Sequence, residues 1–276
     1  MVHKNYCVIG SPVAHSLSPV IHNTLYKIYG IDSSYTKHQV TTDTLSAFIH
    51  SVHTENIAGF NVTMPLKKAI LPYLKYVSPE ARSSVNTVSV KPDGLYGYST
   101  DAQGFYAALQ NIGKTYKDAE IVFIGAGAVT RLLVHDAARK GAKKITLLNR
   151  TIEHAQKLAQ EVNAAADLLS NIELYTKNCD LLINTTPLGM SGSQSYFASL
   201  DFINTLPKYA TVCDLIYSPA RTTLLARAHS CGLTAMNGLP MLIRQAFLSF
   251  EKWFDILPAE SAYTKVLNQI NELLLP

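Results

Sequence analysis

Charge is scarce in this chain. Only 16% of its 276 residues are Asp, Glu, Lys or Arg, the formal net charge is +4, and no dense Lys/Arg tract occurs. A nucleic-acid or membrane surface needs a stronger basic stripe than this, so neither partner is expected, and a small anionic molecule stays open. The densest basic group, Arg139, Lys140, Lys143 and Lys144, flanks Gly141 at a predicted helix end, where cations favour the helix dipole. Cysteine is equally sparse: Cys7, Cys179, Cys213 and Cys231 are far apart and form no Cys-x-x-Cys pair. The first three lie in or beside apolar strand-like runs, the usual place for inert buried thiols. The nine histidines include no His-x-x-x-His, so no metal site is expected, and His15 and His22 are read as structural. A Gly-x-Ser-x-Gly elbow is missing, which removes the commonest serine-hydrolase signature. No apolar run approaches the roughly 18 residues of a membrane-spanning helix, and Met1-Val-His-Lys4 leads into a strand rather than a leader, so a cytoplasmic protein is expected.

What is present is 47% hydrophobic residue content in a strand–helix alternation. Short apolar runs occur at Tyr6–Gly10, Ser34–Val40, Ile57–Val62, Ile121–Gly125, Ile145–Asn149, Asp180–Asn184 and Val212–Ile216, with three- and four-residue periodicity between them. That pattern predicts βαβ units and mostly parallel sheets. Asp180-Leu-Leu-Ile-Asn184 is apolar without alternation, as expected where both faces of a sheet are covered. Lys91-Pro-Asp-Gly94 reads as a turn between two strands, and Thr100 with Gln103 reads as a capping box opening a helix from Asp101. Leu239, Leu242, Ile243, Ala246, Phe247, Phe250, Trp253 and Phe254 share one helix face near the C-terminus. The expected fold class is therefore α/β with two domains. Residues 1–101, completed by C-terminal helices over 238–276, form one, and residues 102–237 form the other.

The segment Ile121–Thr130 is a strand, a Gly-x-Gly turn and a helix start. Gly125 permits the turn, and Gly127 lets backbone approach a pyrophosphate at the helix N-terminus; Thr130 stands where a third Gly or Ala is common. The next strand ends in Asn149-Arg150-Thr151 rather than in an acidic residue. An acidic residue there holds the ribose hydroxyls of NAD, whereas Arg suits a 2′-phosphate, so NADP is favoured. Thr151 is placed to cap the following helix, and a plain surface Arg150 is the competing reading.

Earlier in the chain, Asn61-Val-Thr-Met-Pro-Leu-Lys67 ends a strand and opens a helix, with Pro65 in the first turn. Lys67 and Lys68 are then expected at a helix N-terminus, where the dipole disfavours cations; such a broken rule points to function or to an ordinary solvated lysine. Asp101 has the bland reading of a first-turn acid, Ser16 and Ser18 that of helix caps, and Asn86 and Thr87 that of turn polars.

Taken together these segments resemble the shikimate dehydrogenase family. The resemblance runs through Gly10-Ser-Pro-Val-Ala-His15-Ser-Leu-Ser18-Pro19, Gly59-Phe-Asn61-Val-Thr63-Met-Pro65-Leu-Lys67, Val85-Asn86-Thr87 and Thr100-Asp101. It continues through Gly125-Ala-Gly127, Asn149-Arg150-Thr151, Asn184-Thr-Thr-Pro187-Leu-Gly189-Met190, Asp214-Leu-Ile-Tyr217-Ser-Pro219, Gly238 and Gln245, in family order over nearly the whole chain. It implies a Rossmann-like NADP domain, an α/β substrate domain, and NADPH-dependent reduction of 3-dehydroshikimate to shikimate. Lys67 and Asp101 are implied as the catalytic pair. Ser16, Ser18 and Tyr217 are implied on the substrate carboxylate, and Asn61, Thr63, Asn86 and Gln245 on ring hydroxyls. Gly125, Ala126, Gly127, Ala128, Asn149, Arg150, Thr151, Thr185, Met190 and Gly238 are implied as cofactor residues. A monomer or homodimer is expected. A quinate-accepting relative of broader specificity and a non-catalytic NADP-binding regulator are the alternatives, and retention of both Lys67 and Asp101 speaks against the second.

Several positions depart from the family pattern. Ser99 replaces an Asn before Thr100-Asp101, Ser83-Ser84 replaces Gly-Ala before Val85, and Ala128 replaces a frequent glycine. Beyond Asn-Arg-Thr a second basic residue is common, whereas this chain has Glu153-His154, leaving Arg150 as the main 2′-phosphate ligand. Histidine is charged only in acid. NADP should therefore bind more tightly to the wild type than to His154→Ala under mildly acidic conditions, with the difference gone under mildly alkaline ones. Titrations of both proteins across that range check this, and superimposable curves would remove His154 from the phosphate site.

Overall fold

The computed structural model describes residues 3–274. The chain forms two compact units: one runs to Gly104 and resumes at Leu242, and the other spans Phe105–Met241.

The first unit carries β1 (Lys4–Gly10), α1 (Ser18–Tyr29), β2 (Ser33–Gln39), α2 (Leu45–Ser51), β3 (Ile57–Val62), α3 (Leu66–Ala69), β4 (Tyr76–Val77), β5 (Thr87–Lys91) and β6 (Gly94–Tyr98). Its sheet has the order β2-β1-β3-β5-β6-β4. β1 runs parallel to both β2 and β3, and β5 pairs antiparallel with β3 and β6. Apolar residues of β1 and β3 (Ile9, Phe60 and Val62) join Phe48 of α2, Leu66 of α3 and Val88 of β5 in one core cluster.

α4 (Asp101–Asn111) begins in the first unit and ends in the second. The second unit continues with β7 (Glu120–Ile124), α5 (Ala128–Arg139), β8 (Lys144–Asn149), α6 (Ile152–Gln160), β9 (Ala165–Leu168), α7 (Glu173–Thr176), β10 (Leu181–Asn184), β11 (Thr211–Asp214), α8 (Thr223–Ser230) and β12 (Thr234–Met236). All its strand pairs are parallel, in the order β12-β11-β10-β7-β8-β9. Counted from β7 this is the 3-2-1-4-5-6 order of the doubly wound dinucleotide fold. Short strands β9 and β12 escape the sequence reading because neither Ala165–Leu168 nor Thr234–Met236 forms a long apolar run. On α5, Asp136 is buried and takes Arg139 Nη2 at 2.6 Å and Lys140 Nζ at 2.7 Å, while Lys143 pairs with Glu120. Most of the basic group around Gly141 is therefore committed within its own unit.

α9 (Leu239–Phe254) and α10 (Glu260–Leu274) return the chain to the first unit, which α9 joins from Leu242 onward. Trp253 packs on Tyr6, with ring centroids 4.9 Å apart, and donates its indole N–H to the Val88 carbonyl at 3.0 Å. Beneath it, His22 of α1 is fully buried and stacks on Tyr35 at 4.4 Å and 11°. No helix among the described residues is long and apolar enough to cross a membrane.

Burial lowers the His22 pKa from 6.5 to about 3, outweighing the opposing contact with the Asn61 side chain, so the ring is neutral. As pH falls below 6.5 the unfolded chain takes up a proton that the folded one refuses, so stability drops until about pH 3. That single group costs about 1.4 kcal/mol per pH unit across the window. His22→Phe keeps the stacked ring and removes the titration. Urea unfolding from pH 4 to 7 should show a shallower acid loss for the variant, and equal slopes would place a charged His22 in the folded protein.

Candidate active site

Lys67 lies in α3, reached from β3 through Thr63, Met64 and Pro65. The expected helix N-terminus is not what distinguishes it. α3 is a single turn of four residues, too short for a dipole that could separate its ends. Instead Lys67 Nζ sits 2.6 Å from Asp101 Oδ2, and the Asp101 side chain is only 8% exposed. Lys68 is exposed and has no ion pair among the described residues.

Asp101 opens α4, and its other oxygen, Oδ1, accepts the Asn86 amide at 2.8 Å. The orientation of Asn86 is unambiguous, because its Oδ1 accepts the backbone N–H of Thr100 at 2.9 Å, a group that can only donate. Nδ2 must therefore face Asp101, with Thr100 Oγ1 at 2.9 Å and Gln245 Oε1 at 3.2 Å. This corrects the capping-box expectation. The Thr100 hydroxyl turns inward to Asn86 and Gln245 rather than capping α4, since a buried hydroxyl needs partners. Asn61, on β3 opposite Thr87 of β5, joins the same buried cluster through the Asn86 carbonyl at 3.0 Å.

Lys67, Asp101, Asn86, Asn61 and Gln245 are thus brought together by side-chain hydrogen bonds in the first unit. Ser16 and Ser18 are joined to each other, Oγ to Oγ at 3.2 Å, with the Ser18 amide on Ser16 Oγ at 3.3 Å. Neither is the N-cap of α1, which is Leu17 without a side-chain cap, although Ser16 Oγ takes the amide of Ser18, the first residue of that helix. Thr63 is half-buried with its methyl against Gly10. The departures Ser99 and Ser84 are both buried with unpartnered hydroxyls. Tyr217 belongs to the second unit, where burial raises its pKa. Sequence reasoning missed Tyr35, Thr87 as a cluster member, and Ser249. The last stands one turn beyond Gln245 on α9, a spacing that offers the only advance signal.

In the second unit, Gly125 adopts φ +112° and Gly127 caps α5. The Gly127 N–H donates to Thr130 Oγ1 at 3.0 Å, and Thr130 Oγ1 lies 2.7 Å from Thr185 Oγ1. Thr130 is therefore no mere substitute for a small residue: its hydroxyl ties the turn to the loop after β10. A Cβ on Gly127 would meet only Thr130 Oγ1, 4.0 Å away, so nothing in the protein demands glycine there. The room at Gly127, the N-cap of α5, fits a dinucleotide pyrophosphate set against the first turn of that helix. Arg150 is exposed and has no ion pair among the described residues, as a phosphate ligand requires. Thr151 occupies the N-cap of α6 without a side-chain cap bond, contrary to expectation, and its carbonyl accepts from Asn149 Nδ2 at 2.8 Å. Met190 is 43% exposed in the loop after β10. That loop is pinned from below by Asp214, which is almost fully buried and accepts from Asn184 Nδ2 at 3.0 Å, Thr222 Oγ1 at 2.7 Å and the Ile216 N–H at 3.2 Å.

Comparison with known proteins agrees with these arrangements. Residues 8–88 match the model of the shikimate dehydrogenase substrate binding domain, and residues 107–190 match that of shikimate / quinate 5-dehydrogenase. A shikimate dehydrogenase (NADP(+)) of Alkaliphilus metalliredigens is 38% identical over 257 residues, covering 89% of this chain and 90% of the relative. The crystal structure of shikimate dehydrogenase from Aquifex aeolicus superposes with a TM-score of 0.88 at 32% identity, covering 97% of this chain and 99% of that one. Shikimate 5-dehydrogenase from Thermus thermophilus, solved in complex with NADP(H) and shikimate, gives 0.87 at 32% identity, covering 96% and 99%.

Two glycines of the second unit should respond oppositely to a methyl group. At Gly238 a Cβ would overlap the Leu215 carbonyl oxygen, so Gly238→Ala should cost about 1–3 kcal/mol of stability. Gly127→Ala should leave stability within about 0.5 kcal/mol and weaken dinucleotide binding about tenfold. Paired thermal melts and cofactor titrations measure both, and unimpaired binding by Gly127→Ala would move the pyrophosphate elsewhere.

Proposed function

The chain belongs to the shikimate dehydrogenase family, and from that premise we propose that it interconverts 3-dehydroshikimate and shikimate with NADPH and NADP in aromatic amino-acid biosynthesis. The observation that carries the mechanism is the Lys67–Asp101 contact at 2.6 Å, with Asn86 on the second carboxylate oxygen.

Bound NADPH supplies the hydride that reduces the ring ketone. Lys67 holds the proton at Nζ and passes it to the ketone oxygen as negative charge develops there; in the oxidative direction the neutral amine takes the proton back. Asp101 accepts a hydrogen bond from Nζ and so limits the directions in which the ammonium can point. Being buried and held by Asn86, the carboxylate is itself immobile, which transfers its rigidity to the lysine. Ser16 and Ser18 would receive the substrate carboxylate as neutral donors. Asn61, Thr63, Asn86 and Gln245 would meet ring hydroxyls, and a site built from such groups rejects analogues that lack a hydroxyl partner.

For the cofactor, the α5 amides with Gly125, Ala126, Gly127 and Ala128 would take the pyrophosphate, Arg150 between Asn149 and Thr151 the 2′-phosphate, and Thr185, Met190 and Gly238 the nicotinamide end. We place the enzyme in the cytoplasm, where its four unpaired cysteines stay reduced.

Initial rates with shikimate and quinate, each with NADP and NAD, test this reading. Shikimate with NADP should be the best pair; inactivity with all four would refute the enzyme assignment, and a preference for quinate would widen its specificity. Lys67→Ala should lower kcat by roughly 10²–10⁴-fold with much less effect on shikimate affinity. A change confined to KM would make Lys67 a binding residue only.

A further inference from the structure

Two loops of the first unit leave the sheet side by side. β1 ends at Gly10, from which the chain runs on to Ser16 and Ser18, and β3 ends at Val62, from which it runs through Thr63 to Lys67. The two strands are parallel neighbours, and their pairing continues past the strand ends. The Thr63 N–H donates to the Ile9 carbonyl at 2.9 Å, and the Ser11 N–H donates to the Met64 carbonyl at 3.1 Å. Between these bonds lies Gly10, whose own carbonyl accepts the Val40 N–H at 3.0 Å. A Cβ on Gly10 would overlap the Thr63 methyl and stand 2.8 Å from the Met64 carbonyl oxygen. Backbone tied on both sides by hydrogen bonds has no room to step back. The Thr63 methyl therefore occupies the place of the side chain that Gly10 lacks.

That contact decides the direction of a hydroxyl. The Thr63 backbone is held at both ends, its N–H on Ile9 and its carbonyl accepting the Leu66 N–H at 2.9 Å, which leaves χ1 as the freedom of the residue. A β-carbon with two heavy atoms has three staggered settings, and the handedness of threonine links those atoms. Once the methyl is placed, the hydroxyl is placed with it. Thr63 is half-buried, and its hydroxyl has no hydrogen-bond partner among the described residues. No polar contact within the described protein aims this group; the methyl on Gly10 does. A serine at the same position has no such link, and its hydroxyl is free to turn into the space that the methyl fills.

We propose that Gly10 is a positioning residue for shikimate, seating the Thr63 methyl so that the Thr63 hydroxyl already points at the substrate when it arrives. This rests on the reading of Thr63 as a contact to a ring hydroxyl. Gly10 acts only through Thr63. In this arrangement the two branches of threonine divide the work: the methyl aims and the hydroxyl binds. A methyl group added to Gly10 displaces the Thr63 methyl and swings the hydroxyl away with it.

The test is calorimetric titration of shikimate into wild type, Thr63→Val, Thr63→Ser, Gly10→Ala and the Gly10→Ala/Thr63→Ser double variant, with steady-state kinetics and thermal melts. Thr63→Val keeps a methyl over Gly10 and loses the hydroxyl, so the shikimate Kd should rise about tenfold. Thr63→Ser keeps the hydroxyl and frees χ1, so Kd should rise about threefold, one staggered setting in three being productive. Gly10→Ala should raise Kd and KM for shikimate about tenfold while KM for NADP stays within about twofold. Added to Thr63→Ser it should cost only about a further threefold, because the methyl it displaces is gone. Equal losses from Gly10→Ala in both backgrounds would overturn the proposal, as would a Thr63→Ser that binds like the wild type. A fall in kcat with both KM values unchanged would also overturn it, since that is the mark of fewer folded molecules. Should Gly10→Ala not fold, Thr63→Ser carries the decision. Wild-type affinity in Thr63→Val would refute the reading of Thr63 as a substrate contact, and a wild type that does not bind shikimate would refute the functional reading; the proposal falls with either.

Discussion

The substrate half of this protein depends on one hydrogen bond that has no freedom of direction, from the Thr100 backbone N–H to Asn86 Oδ1. Because the backbone donor cannot reverse, it decides which end of the Asn86 amide meets Asp101, and Asp101 decides where Lys67 points. Amide and hydroxyl groups are individually ambiguous, and a buried cluster of them can settle into several proton arrangements of similar energy. Backbone groups at Thr100 and Asn86 remove that ambiguity from the two ends of the cluster. The buried Asp101 is thereby served by a neutral amide and a cation at once, a pairing that leaves neither of its oxygens without a donor.

The dinucleotide half solves a different problem. Its parallel sheet is generated by apolar strands such as Leu181–Asn184 that are buried throughout, and its loops are held by polar side chains beneath the surface. Asp214 ties together the ends of β10 and β11 and the start of α8 without a cation, using an amide, a hydroxyl and a backbone N–H. Above, glycine has two separate meanings. Gly238 is small because a neighbouring carbonyl occupies the space, whereas Gly127 is small although nothing of the protein is near.

Much of this was legible in the sequence. Strand–helix alternation and the Gly125–Gly127 turn are local patterns, and local patterns survive in one dimension. Ile57–Val62 was read with its true ends, and the other strands were displaced by a residue or two at one end or both, since pairing rather than composition terminates a strand. The pairing of Lys67 with Asp101 came from the family resemblance; the helix-start argument for Lys67 fails, because a helix start cannot be told from a single turn before the fold is known. Hydroxyl residues were read poorly. Thr100 and Thr151 were given to helix caps on sequence offset alone, and their hydroxyls serve neither helix. Ser249 carried no signal beyond its spacing from Gln245, because its partners Asn61 and Thr87 lie more than 160 residues away. Contacts of that range belong to the fold and leave no trace in a neighbouring stretch of chain.

That separation sets the order in which the protein can be made. Asn61 emerges from the ribosome 188 residues ahead of Ser249, and Asn86 emerges 159 ahead of Gln245. At roughly 5–20 residues per second, the first of these gaps lasts roughly 10–40 s. During it β3 and β5 exist without α9, and their amides and hydroxyls, later sealed from water, remain hydrated. The dinucleotide unit is contiguous in the chain and is synthesised whole within that interval. The chain of the nucleotide unit is therefore complete before Gln245 and Ser249 are added, and the last partners of the polar cluster to arrive are those of α9.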